Sequence, residues 1–323
     1  MPMLQQIPTH LLAGPLGAGK TSLLRQLLAQ RPQEERWALL INEFGQIGID
    51  AALLDTGCGT GVQLAEVAGG CLCCVNGLPF QVGLGRLLRA ARPQRLFIEA
   101  SGLGHPAALQ QQLAAPPWQG VLALQPLVMV LDAAAMAAGA ALPAAQNEAL
   151  PQAGLLLMNK SAGLDSRQRQ QLADKLSGIP LHWSEHGALP LAALPGQPVS
   201  TAGTTLPPSA PSLSMPTLWR SQEHWLRQAG QQDGAYSLGW RMHPAQRFSQ
   251  ARLEHWLGRF AWQRTKGIVH TDAGWLSFNA LPGAAMDWRP SPWRRDSRIE
   301  LICTSQPDAA QLEHDLRAAL QND

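Results

Sequence analysis

The chain has 323 residues, 46% of them hydrophobic, and its 25 Lys and Arg against 23 Asp and Glu leave a formal net charge of +2. That length and apolar fraction support more than one packed core, and the near-balance of charge excludes a broad polyanion-binding surface, so nucleic acid is not an expected partner. The N-terminus lacks the basic, apolar and small-residue order of a secretory leader, and Gln125-Pro126 interrupts the apolar run Val121–Leu131, so a cytoplasmic protein with no membrane partner is expected.

In chain order, the first element is a short apolar strand, His10-Leu11-Leu12-Ala13. It runs directly into Gly14-Pro15-Leu16-Gly17-Ala18-Gly19-Lys20-Thr21, which satisfies G-x-x-x-x-G-K-[ST] at every fixed position. Glycines let the backbone N–H groups turn inward. A helix opening through Ser22-Leu23-Leu24 adds its N-terminus, so several amides converge on the β-phosphate of a nucleotide. Lys20 contributes a mobile positive charge, and the Thr21 hydroxyl suits a Mg2+ ion bridging the β- and γ-phosphates. A glycine-rich turn before a core helix is the bland alternative. The strand before and the helix after favour a phosphate loop, with Gly14, Pro15, Leu16, Gly17, Ala18, Gly19, Lys20, Thr21 and Ser22 as its binding residues.

From Thr9 to about His186, apolar runs alternate with helical patterns: Ala38–Ile41, Arg95–Ile98, Leu127–Leu131 and Gly154–Met158. That alternation predicts parallel strands with helical crossovers. Each run ends in residues able to do chemistry, namely Asn42-Glu43, Glu99, Asp132 and Asn159-Lys160, and doubly wound sheets place their ligands at such strand ends. For Glu99 the alternative is a carboxylate capping the turn at Ser101-Gly102.

Between the phosphate loop and Glu99 lies Gly69-Gly70-Cys71-Leu72-Cys73-Cys74. Thiolate sulfur selects Zn2+ or Cu(I) over Mg2+ and Ca2+, so Cys71, Cys73 and Cys74 are metal-ligand candidates. No second C-x-x-C pair completes a closed tetrahedral site, so a bound ion would take a further ligand from the fold, water or a partner. A redox-active thiol pair and buried apolar cysteines are the competing readings. The chain's 5 cysteines fit a reducing compartment in either case.

Between Gly187 and Arg220 there is no charged side chain, and prolines stand among Ser, Thr, Gly and Ala, which predicts an extended linker. Beyond it, strands are expected over Tyr236–His243, Arg264–Thr271, Trp275–Phe278 and Arg298–Thr304, with helices over Gln250–Phe260 and Asp308–Leu320. Most of the 11 tryptophans fall in this last third, where they either fill a small core or mark a partner surface. The fold expectation is α/β: a P-loop NTPase-type, doubly wound, mainly parallel sheet in residues 1–187, a linker over 188–217, and a smaller α+β C-terminal domain over 218–323.

Four segments in order, Gly14–Thr21, Ile41–Asp50, Gly70–Cys74 and Ile98–Pro106, resemble the CobW family of metal-handling P-loop GTPases. Val75–Pro79, Ser184–Gly187 and Arg298–Leu301 look most like its YeiR-like, zinc-binding branch, and Arg264–Val269 resembles the family's C-terminal domain. The resemblance implies GTP hydrolysis to GDP, with Mg2+, coupled to binding Zn2+ or another thiophilic transition metal and delivering it to an unidentified client metalloprotein. It further implies that Gly14–Thr21 hold the phosphates, with Lys20, Thr21 and Glu99 as catalytic residues. Thr21 would bind Mg2+, Glu99 would end a Walker-B-like strand, and Cys71, Cys73 and Cys74 would bind the metal. Glu43 and Asp50 fall in a switch-like stretch, and the residue that orients the attacking water stays open.

Three departures stand out. The guanine-reading motif N-K-x-D appears as Asn159-Lys160-Ser161-Ala162, so Asn159 and Lys160 are retained while the Asp is lost, and Asp165 lies three residues on. Gln46 replaces the second Glu of N-E-F-G-E, and no histidine occurs from Ala188 to Leu218, leaving His105, His182 and His186 as further ligand candidates. These departures motivate a second reading, a metal buffer or regulator with weak or lost hydrolysis and relaxed base specificity. A small-molecule P-loop kinase is a third, and it leaves the cysteines unexplained.

Overall fold

The computed structural model describes residues 5–42, 62–67, 78–196, 219, 221–232, 234–283 and 286–321. Glu43, Gln46, Asp50, Cys71, Cys73 and Cys74 lie outside these. The chain divides into two compact units.

In the first unit, β1 (Ile7–Ala13), β2 (Trp37–Asn42), β3 (Val62–Val67), β4 (Arg95–Glu99), β5 (Leu122–Leu124), β6 (Leu127–Asp132), β7 (Ala153–Asn159) and β8 (Leu181–Trp183) form one sheet. Its order is β3-β2-β4-β1-β6-β7-β8, with β5 paired to β1, and all these pairings are parallel. The helices are α1 (Lys20–Ala29), α2 (Leu78–Ala91), α3 (Pro106–Ala114), α4 (Ala133–Ala137), α5 (Ala144–Ala149) and α6 (Ser166–Lys175). Every residue of β4 is buried, as expected of a strand covered on both faces, and α1 turns Leu23, Leu24 and Leu27 inward. The sequence runs thus became strands within a residue or two, while β3, β5 and β8 had no clear signal.

Register places the site. Leu12 and Ile41 both lie opposite Glu99, Asp132 lies opposite Asn159, and Met158 lies opposite Trp183. The carboxyl ends of these strands therefore share one edge, and the phosphate loop leaves β1 at that edge. Residues after Gly187, expected as linker, begin packed: Leu189 is buried, its carbonyl accepts from Gln30 Nε2 at 2.9 Å, and the Leu191 amide donates to Gln30 Oε1 at 2.9 Å.

In the second unit, β9 (Leu226–Gln232), β10 (Ala235–Met242), β11 (Arg264–Thr271), β12 (Gly274–Ala280), β13 (Arg289–Pro290) and β14 (Ser297–Cys303) form an antiparallel sheet ordered β13-β12-β11-β14-β10-β9. Helices α7 (Gln250–Leu257) and α8 (Ala309–Arg317) accompany it. Trp225, Trp240, Trp256 and Trp293 are buried, and Val82 of the first unit is the single exposed large hydrophobic side chain among the described residues. The tryptophans are therefore mainly core. Asp296 anchors this unit's polar interior, accepting from Arg241 at 2.6 Å, Arg298 at 2.8 Å and Trp293 Nε1 at 3.0 Å. Among the described residues no helix is long and apolar enough to cross a membrane.

One buried titratable group in the first unit makes stability depend on pH. His10, on β1, is 1% exposed, stacks on Phe97 with ring centroids 5.2 Å apart, and has Nε2 2.9 Å from Arg95 Nη1. Burial, and secondly the Arg95 charge, lower its pKa from 6.5 to about 3. Between those values the unfolded chain binds a proton that the folded chain refuses, so stability falls as pH drops below about 6.5. Urea unfolding followed from pH 6 to pH 4 should show a slope shallower by up to about 1.4 kcal/mol per pH unit in His10→Asn than in the parent; equal slopes would contradict a neutral buried His10.

Candidate nucleotide site

The loop from Gly14 to Gly19 is shaped by three glycines at positive φ, at 137°, 77° and 107° for Gly14, Gly17 and Gly19. Two of them are also sterically required. A Cβ on Gly14 would stand 2.0 Å from the Val130 carbonyl oxygen, and one on Gly19 would stand 2.2 Å from Asn159 Nδ2. Nearby, a Cβ on Gly102 would stand 2.7 Å from the Leu16 amide nitrogen, so the Ser101-Gly102 turn passes tightly against the loop.

Lys20 opens α1 and is 5% exposed, with Nζ donating to the carbonyls of Gly14 at 2.9 Å and Pro15 at 3.0 Å. The ammonium is folded over the concavity of its own loop. Next to it, Thr21 Oγ1 donates to Glu99 Oε1 at 3.0 Å and lies 3.2 Å from Oε2. Glu99, 5% exposed at the end of β4, is thus directed at the phosphate loop, while Ser101 accepts from the Leu103 amide of the following turn. A hydroxyl and a carboxylate are hard oxygen donors, a set that fits Mg2+ and not a thiophilic ion.

Asn159 and Lys160 end β7 beside this loop. The Asn159 side chain, 2% exposed, donates to the Ala18 carbonyl at 2.8 Å and accepts from the Gly187 amide at 2.9 Å. Lys160, at φ 58°, pairs with Asp132 at 2.6 Å, and Asp132 in turn accepts from the Ala135 amide to cap α4. The segment after β8 joins the same assembly: the Ser184 amide donates to Met158, and the Ser184 carbonyl accepts from both the amide and the hydroxyl of Ser161. Glu185 Oε2 then accepts from the Ala162 amide at 3.0 Å. Ser184–Gly187 stood out in the sequence only as part of the family resemblance, and the contacts of Glu185 and Gly187 at this site arise once β8 has paired with β7.

Asp165, the acid nearest in sequence to the altered N-K-x-D stretch, is occupied elsewhere. It forms a capping box at the start of α6, accepting from the Gln168 amide at 2.8 Å while its own amide donates to Gln168 Oε1 at 3.0 Å. His105 precedes α3, His182 lies in β8 and His186 in the turn after it, and among the described residues no three His, Cys, Asp or Glu side chains cluster as a metal site. Cys303 is buried, which pushes its thiol pKa up and away from reactivity.

Residues 8–182 match the sequence pattern described as the CobW/HypB/UreG nucleotide-binding domain, and residues 238–320 match the cobalamin synthesis protein cobW C-terminal domain. The chain is 33% identical to the zinc chaperone YeiR of Escherichia coli K12, covering 93% of this chain and 94% of that protein. It is 31% identical to the zinc chaperone CobW of Pseudomonas aeruginosa, covering 61% of each chain. The crystal structure of Zn(II)-bound YjiA GTPase from E. coli is similar at 19% identity and a TM-score of 0.42, covering 97% of this chain and 99% of that one.

Removing the Asn159 side chain leaves the buried Ala18 carbonyl and Gly187 amide without this bridge, at a cost of about 1–3 kcal/mol for each group left unpaired. Asn159→Ala should lower the urea midpoint of the first unit, measured without nucleotide, and an unchanged midpoint would contradict the structural role.

Proposed function

The chain belongs to the CobW/HypB/UreG family, and from that membership and the phosphate loop's geometry we propose that it is a metallochaperone GTPase. In this reading it binds GTP in the Gly14–Thr21 cradle, hydrolyses it to GDP and phosphate, and uses the cycle to take up and release a transition metal, zinc first. Cys71, Cys73 and Cys74 hold the metal, and a client metalloprotein receives it.

The observation that carries this reading is the convergence of the Lys20 ammonium, the Thr21 hydroxyl and the Glu99 carboxylate at the head of α1. Lys20 exchanges loop carbonyls for phosphate oxygens when nucleotide enters, so the cation never faces an empty low-dielectric pocket. Water attacks the γ-phosphorus, the bond to the β-γ bridging oxygen breaks, and GDP leaves with that electron pair. Such a transfer asks for positioning and charge neutralisation more than for a strong base. Thr21 and Glu99 would hold Mg2+, which when bound neutralises charge on the β- and γ-phosphate oxygens.

Zinc as cargo is supported by the zinc-chaperone names of the relatives and by thiolate chemistry. Placement supports the coupling. Val67, the last described residue before the cysteines, ends β3 opposite Asn42 on the sheet edge that bears the phosphate loop. In the sheet order β3 stands three strands from β1, about 14 Å at the usual strand spacing. In this reading the cysteine-bearing segment that follows β3 responds to the γ-phosphate, as switch segments of P-loop GTPases do.

Two measurements test this. Zinc affinity should be about tenfold tighter with a non-hydrolysable GTP analogue than with GDP, and Cys73→Ala should erase that difference; equal affinities in the parent would remove the coupling. Lys20→Ala should reduce steady-state phosphate release by about 100-fold, whereas release unaffected by the substitution would place hydrolysis elsewhere.

A further inference from the structure

Guanine is read in proteins of this kind by a carboxylate that accepts from both the N1–H and the exocyclic 2-amino group, and the fourth residue of Asn159-Lys160-Ser161-Ala162 has no side chain able to do so. Asp165 is not a substitute, because its carboxylate and amide both serve the capping box of α6. The structure nevertheless brings a carboxylate to this place from the segment after β8. Ser161 and Ser184 are joined by two hydrogen bonds to the Ser184 carbonyl, at 3.2 Å from the Ser161 amide and 2.9 Å from its hydroxyl, which sets Glu185 beside Ala162. Glu185 Oε2 sits 3.0 Å from the Ala162 amide nitrogen, and Oε1 takes no partner among the described residues.

The loop bearing Glu185 is not free to wander. His186 at φ 54° and Gly187 at φ 75° turn the chain onto the start of α1, where a Cβ on Gly187 would stand 2.5 Å from the Leu23 amide nitrogen. The Gly187 amide then donates to Asn159, whose other end holds Ala18 of the phosphate loop. Glu185 is therefore fixed relative to the loop that holds phosphates in the proposed reading. Glu is longer than Asp by one methylene and starts from the segment after β8, so it approaches the Ala162 backbone from across the β7–β8 pairing.

We propose that Glu185 is the base-specificity residue of this protein, accepting from guanine N1–H and the 2-amino group in place of the missing aspartate. The proposal rests on the nucleotide-binding reading above and deepens it: the chain selects guanine despite Ala162. A carboxylate that merely capped the Ala162 amide would leave base selection unchanged.

The test is displacement of a fluorescent GDP from the full chain by GDP, IDP, XDP and ADP. IDP lacks the 2-amino group and XDP carries a carbonyl there. The parent should bind GDP about tenfold or more tighter than IDP, and tighter still than ADP. In Glu185→Gln the amide oxygen still accepts from N1–H, but its NH2 group faces the guanine amine and complements the xanthine carbonyl. The preference should therefore invert toward XDP. Adding Ala162→Asp to Glu185→Ala should return selection to GDP. Equal GDP and IDP affinities in the parent, or a GDP to XDP ratio unmoved by Glu185→Gln, would overturn the assignment while leaving nucleotide binding intact. Failure of the parent to bind any of the nucleotides would overturn the nucleotide-binding reading and this assignment with it. The parent comparison needs no variant, so equal GDP and IDP affinities overturn the assignment even where a substitution impairs folding.

Discussion

The bridge made by one buried amide organises the site. Asn159 touches Ala18 with its nitrogen and Gly187 with its oxygen, and so joins the phosphate loop, the end of β7 and the segment after β8 into one body. The close fit explains Gly19: any side chain there would collide with the Asn159 amide. Because Asn159 is 2% exposed, neither backbone partner has water to fall back on, which makes the bridge a constraint on the position of all three segments. The parallel register supplies the other half of the arrangement by bringing Glu99, Asp132 and Asn159 to the same edge as the loop.

Much of this was legible in the sequence because it is local. The glycine spacing of the phosphate loop, the apolar runs of β2, β4, β6 and β7 and the polar residues closing them depend on neighbours a few positions away. The less legible parts are long-range or chemically faint. Strand β9, Leu-Arg-Gln-Ala-Gly-Gln-Gln, is a polar edge strand without apolar alternation, defined by pairing with β10. Leu189 sits in a proline-rich stretch that reads as linker, yet it is buried in the first unit. Glu185 drew no attention as a site residue because its relation to Ala162 exists only after β8 has paired with β7. The tryptophans carried two meanings in sequence, and burial of Trp240, Trp256 and Trp293 resolves those three as core.

The two units use different chemistry to secure their interiors. The first relies on apolar strands, with Lys20, Glu99 and Asn159 buried at the functional edge and a neutral His10 buried beside Arg95. The second buries ions in its sheet: Lys266 faces Glu300 at 3.4 Å, both almost fully buried, and desolvation lowers the lysine pKa even with the carboxylate beside it. Buried pairs of this kind are intolerant of losing one partner, which makes β11 and β14 a rigid centre for that unit.

The account turns on the claim that the Gly14–Thr21 cradle receives nucleotide phosphates and that the Asn159 bridge carries the effect to residues 184–187. Hydrogen–deuterium exchange of the full chain with and without GDP and Mg2+ tests it most directly. Amides from Gly17 to Thr21 and from Ser184 to Gly187 should both slow on nucleotide addition. Unchanged exchange in the loop at saturating nucleotide would contradict the claim.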